Sequence, residues 1–119
     1  MRGILTAMNE DYPGDAEGDA LRRVAALGAD MSRPMEIEFF VAVPGREAGE
    51  AVARLAARAG YRPELVHDEE DDAWDCYCRK TMLPTYEGIT AAQRELDELG
   101  RPLGGRSDGW GTAGGPIDA

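Results

Sequence analysis

Three side chains in this sequence have the chemistry to hold a soft metal: His67, Cys76 and Cys78. Thiolate and imidazole suit zinc, but a closed structural site takes four ligands, and a Cys-x-Cys pair with one histidine is short by one. On an extended strand the two cysteines point the same way, which equally suits small core residues. A disulfide between positions two apart would be strained. The expectation is therefore no disulfide framework and a reducing setting. The run Asp68-Glu69-Glu70-Asp71-Asp72 offers carboxylates to a hard cation but lacks the glycine and the spaced ligands of a calcium loop. It reads as a solvated hairpin tip that blunts aggregation. Nucleophilic catalysis has little to build on. There is one histidine and no Gly-x-Ser-x-Gly elbow, and His67 and Asp68 face apart on a strand. The glycines between 104 and 115 follow a helix and lack Gly-Lys-Ser/Thr, so they do not form a phosphate loop. The sequence thus predicts no catalytic residues, no metal and no cofactor.

Length and charge narrow the remaining classes. A chain of 119 residues fits one domain, and by area scaling it can bury roughly two-thirds of its surface. Acidic residues outnumber basic ones 23 to 13, for a net charge of −10. Such a field repels nucleic acid and anionic membranes and attracts a basic protein. No run approaches the roughly 18 apolar residues of a membrane span. Gly3-Ile4-Leu5-Thr6-Ala7-Met8 is too short for a signal-peptide core, so the expected location is the cytoplasm.

The elements that would position these residues follow from periodicity. Residues 1–14 read as a loose lead-in ending in a turn at Tyr12-Pro13-Gly14. Asp15 caps a helix that runs to about Leu27, with Ala20, Leu21, Val24 and Leu27 as its apolar stripe and Gly28 as its stop. Met35 to Val43 alternates as a strand, and Pro44-Gly45 ends it. A helix over residues 46–59 repeats Ala48, Val52, Leu55 and Ala59 and stops at Gly60. Strands follow over 61–67 and 73–82, joined by the acidic run as a hairpin. A third helix spans 85–99, with Tyr86, Ile89, Gln93, Leu96 and Leu99 inward, and a short strand is expected near 103–107. This order is the ferredoxin-like split βαβ pattern with an extra N-terminal helix: an α+β two-layer sandwich whose helices cover one face of an antiparallel sheet. Residues 15–112 form the single domain, and 113–119 a short, frayed tail.

Alternation assigns faces. Ile37, Phe39, Val41, Trp74, Cys76 and Cys78 point into the core. Glu36, Glu38, Phe40, Asp75, Tyr77 and Arg79 lie on the other face, which solvent, the leading helix or a partner must cover. Phe40 and Tyr77 there resemble the stacking residues of RNA-binding sheets, but Glu36, Glu38 and Asp75 flank them. Aromatics ringed by carboxylates suit an arginine-rich protein surface better.

The most distinctive stretch is Ser107-Asp108-Gly109-Trp110-Gly111-Thr112. Asp108-Gly109 favours a tight turn, and Trp110 between two glycines is either an anchor for the tail or a contact hot spot. Asp108-Gly109-Trp110-Gly111-Thr112 resembles the closing signature of the regulator of ribonuclease E activity B family, the ribonuclease E inhibitor RraB family. Other features follow in order: Leu21-x-x-Val24-x-x-Leu27-Gly28, the strand after Pro34, Ala59-Gly60-Tyr61, a cysteine-bearing third strand, and a helix with Ile89 and Gln93. The resemblance covers about residues 15–112. It implies a ferredoxin-like fold and a non-enzymatic, acidic protein that binds an endoribonuclease and restrains RNA turnover. In that family a long acidic stretch follows the tryptophan motif, whereas residues 113–119 here hold one acid, Asp118. The Gly104-Gly105-Arg106 run before the motif is also richer in glycine than the family's pattern. The partner-contact candidates are Glu36, Glu38, Phe40, Asp75, Tyr77, Asp108, Gly109 and Trp110. The alternative reading is a self-associating, homodimeric structural or ligand-binding module.

Overall fold

A computed structural model describes residues 14–112 other than 27 and 29. The lead-in, most of the Tyr12-Pro13-Gly14 turn, Leu27 and the 113–119 tail therefore lie outside the described residues. Among the described residues eight elements follow in order: α1 (Ala16–Ala26), β1 (Met35–Val43), α2 (Arg46–Arg58), β2 (Arg62–Asp68), β3 (Ala73–Met82), α3 (Tyr86–Gly100), a 3-10 turn (Arg101–Leu103) and β4 (Arg106–Thr112). The strands form one antiparallel sheet in the order β2-β3-β1-β4. The two crossovers through α2 and α3 give the ferredoxin-like arrangement.

Local chemistry explains the boundaries. Asp15 caps α1 by accepting the Gly18 N–H at 2.9 Å. Its other carboxylate oxygen accepts the Tyr86 hydroxyl at 2.5 Å, fastening the start of α1 to the start of α3. Thr85 caps α3 by accepting the Gly88 N–H at 3.0 Å. At the far end of α3, Asp97 accepts the Ser107 N–H at 2.9 Å and pairs with Arg101. Those two contacts hold its carboxyl below the usual range and pin the start of β4.

The core lies between the sheet and the helices. Ile37, Phe39 and Val41 of β1 and Cys76 and Cys78 of β3 are fully buried against Val52, Ala56, Ile89 and Leu96. Tyr61 meets Phe39 edge-on at 6.1 Å. Leu21 brings α1 into the same cluster, with α1 seated on α3. The leading helix is thus on the helical side and does not cover the other face of the sheet.

The stretch over 101–112 differs from the sequence reading. Residues 101–103 form the 3-10 turn, and the last strand is later and longer than expected, with the tryptophan motif inside it. Asp108-Gly109 is not a turn. Phe39 pairs with Trp110 and Val41 with Ser107, so Asp108 and Gly109 together oppose Phe40 alone. This is a β-bulge with one extra residue, and Gly109 makes it with φ +103. A plain ladder continuing from Ser107 would set Trp110 opposite Glu38. The extra residue sets it opposite Phe39, against the core, where it is half-buried.

Gly109→Ala is expected to lower stability by about 1–2 kcal/mol, the cost of a side chain at left-handed φ. The readout is a lower urea midpoint at unchanged slope; an unchanged midpoint would mean that the bulge relaxes freely.

Candidate partner-binding face

Cross-strand register places the face away from the helices in rows. Val66, Asp75, Ala42 and Arg106 form one row. Glu64, Tyr77, Phe40 and the bulge form the next, followed by Arg62, Arg79, Glu38 and Gly111. Of the sequence candidates, Glu36, Glu38, Phe40, Asp75, Tyr77 and Asp108 share this face. Gly109 lies in the bulge beside Phe40. Trp110 is separated from them, on the helical side.

At the centre, Phe40 and Tyr77 meet edge-to-face with ring centroids 4.9 Å apart. Such a pair gives roughly 0.5–1.5 kcal/mol beyond its buried area. Both rings stay half-buried. Arg79 lies 5.9 Å from the Tyr77 centroid and bridges Glu38 at 2.7 Å and Glu64 at 2.8 Å. Arg62 pairs with Glu36, and Arg106 approaches Asp108 at 3.7 Å. The three arginines of this face are therefore engaged, while its carboxylates, with Asp68 and Asp75, outnumber them. Burial pushes the Asp75 carboxyl above its usual value, the Asp108 carboxylate adds to the push, and Arg106 opposes it. The surface is an aromatic centre in a field of net negative charge.

The acidic run forms the β2–β3 hairpin tip, with Asp68 at the end of β2 and Asp72 at φ +50. Asp68 accepts the Glu70 N–H at 3.0 Å, and Asp72 meets His67 Nε2 at 2.8 Å. His67 also stacks on Trp74 at 4.1 Å. Cys76 and Cys78 lie in the core with their sulfurs 3.7 Å apart. The Cys78 thiol bonded to it holds Cys76 below the usual thiol value; that same bond and burial push Cys78 well up. Among the described residues no group of three or more His, Cys, Asp or Glu is placed to hold a metal ion. No helix there is long and apolar enough to cross a membrane.

Two features of this face escaped the sequence reading. Glu64 was readable from alternation in β2, two positions before Val66. Gly111 had no signal, because its facing depends on the bulge.

Two outcomes follow. Both cysteines should resist thiol reagents in the native protein and react at once in denaturant; one fast native thiol would contradict their burial. Asp75 binds its proton more tightly folded than unfolded, so its ionisation costs stability as pH rises past the ordinary value of 3.8. Asp75→Asn should match the parent in urea midpoint near pH 3 and exceed it near pH 7. A parent that is the more stable near pH 7 would contradict the assigned shift.

Among curated proteins none matches this chain. A family model described as RraB, regulator of ribonuclease activity B, matches residues 14–112, the span that holds every element described above.

Proposed function

The chain belongs to the regulator of ribonuclease activity B family, and we propose that it acts without catalysis, by binding a ribonuclease E-like endoribonuclease in the cytoplasm and inhibiting RNA turnover. The family match is the observation that carries this reading, since the family is one of regulators of ribonuclease activity. The sheet face supports it. Phe40 and Tyr77 supply an apolar anchor, and Glu38, Glu64, Asp75 and Asp108 supply the field that draws in a basic, RNA-handling surface. The same field disfavours RNA itself, so contact is with the nuclease protein. The 68–72 tip adds to steering. Trp110 acts differently: it seats β4 on the core and so fixes Asp108 and Gly109 beside Phe40.

Titration calorimetry against the catalytic and scaffold regions of the host's ribonuclease E, with an RNA oligonucleotide in parallel, tests this. Nuclease binding without RNA binding is expected. It should weaken steeply with salt and with acidification below about pH 4.5, as carboxylates protonate. Phe40→Ala and Tyr77→Ala should each weaken it about tenfold or more, with unchanged circular dichroism. No nuclease binding at low salt would remove the partner; salt-insensitive binding would remove the electrostatic part.

A further inference from the structure

β4 borders the aromatic centre, and its make-up points to what docks along its outer edge. β4 ends the sheet order, and among the described residues no strand pairs with its far side. On the open face, the Phe40 ring lies along the bare backbone of two glycines. A methyl at Gly109 would sit 4.0 Å from Phe40 Cδ2, and one at Gly111 would sit 3.8 Å from Phe40 Cζ. Gly109 is explained by its positive φ. Gly111 is not: its φ lies outside the left-handed range, and a side chain there would make only ordinary contact with Phe40. Neither backbone nor crowding calls for glycine at this position, in a strand whose stability glycine lowers. Its effect is on Phe40, whose flank towards β4 no side chain at position 111 covers.

We propose that the β4 edge accepts an extended, arginine-bearing segment as a fifth strand, and that Gly111 is the gap through which an arginine of that segment reaches the Phe40 ring. Main-chain pairing along an edge that no described strand covers supplies affinity, and side chains alternating on the open face supply selection. Strands stand roughly 4.8 Å apart, so a side chain from a fifth strand must cross the whole of β4 to reach β1. A long guanidinium side chain can do so over glycine and is hindered the more as the residue there grows. At its end it finds an aromatic ring and net negative charge, the setting that favours a cation on a ring. That the segment belongs to the nuclease rests on the proposed function; the chemistry of the edge does not.

The test uses the full chain and two probes: a twelve-residue peptide alternating arginine and threonine, and the nuclease scaffold region. The arginine peptide should shift backbone amide resonances of Arg106–Thr112 and ring resonances of Phe40. The same peptide with glutamine for arginine should not. Gly111→Val should weaken the arginine peptide about tenfold or more, with Gly111→Ala between, while the melting temperature holds or rises. Equal affinity for the parent and Gly111→Val overturns the proposal, as do shifts confined to the helices. Concentration-dependent dimerisation that moves the β4 resonances without peptide also overturns it, by making a second copy the occupant. A parent that takes the peptide at β4 but not the nuclease upholds the edge and removes the nuclease. Nuclease binding that Gly111→Val leaves unchanged keeps the nuclease and removes the edge.

Discussion

One additional residue in the last strand decides what each face of the sheet can be. The bulge at Asp108-Gly109 shifts the parity of β4 by one, and every side chain after it changes sides. In the unbulged register the indole of Trp110 would stand on the open face beside Glu38, and Gly111 would face the core opposite Ile37. The bulge reverses both. The indole packs on the core beside Phe39, and the residue without a side chain goes to the open face. A single left-handed glycine thereby closes the core at the sheet edge and clears the ground beside Phe40.

The two faces then have separate energetic roles. On the helical side, fully buried residues such as Phe39, Leu21, Ile89 and Leu96 each withdraw a whole side chain from water, worth about 1.5–3 kcal/mol apiece. The open face is held by surface ion pairs around Arg62, Arg79 and Arg106, whose members keep contact with solvent. Exposed pairs of this kind contribute roughly 0–1 kcal/mol each. Stability therefore rests on the helical side, and the open face can be specialised for a partner at little cost to the fold. The mutual orientation of Phe40 and Tyr77 is fixed by neighbouring register on β1 and β3, the two central strands.

Most of this was legible wherever a buried face imposes a period. β1 and β3 alternate because one side of each must be apolar, and that alternation alone puts Phe40 and Tyr77 on the face away from Phe39 and Cys78. α2 showed itself through an apolar stripe and the stop at Gly60, and α3 through its stripe; the glycine expected to stop α3, Gly100, is instead its last residue, and the left-handed glycine is Gly104, after the 3-10 turn. β4 was not legible, for a physical reason: two of its seven residues are glycine, so it carries too few side chains to show a period. The bulge, moreover, breaks the period it has. Asp-Gly reads as a turn because glycine serves turns and bulges with the same positive φ. That ambiguity also hid the side on which Trp110 lies, and with it the role of Gly111.

The strand order has a consequence for how the chain comes together in time. β1 is central in space yet first of the strands to be synthesised, and both of its neighbours, β3 and β4, come later. The hydroxyl that fastens Asp15 belongs to a residue 71 positions further on. The pairings of β1 with β3 and with β4 likewise join residues far apart in sequence. Those pairings must wait on long loop closures, which slow folding relative to bundles built from local contacts. Until β4 arrives, β1 is an unpaired strand edge with Phe39 and Phe40 on its two sides. The net charge of −10 opposes the approach of such edges on neighbouring chains during that interval.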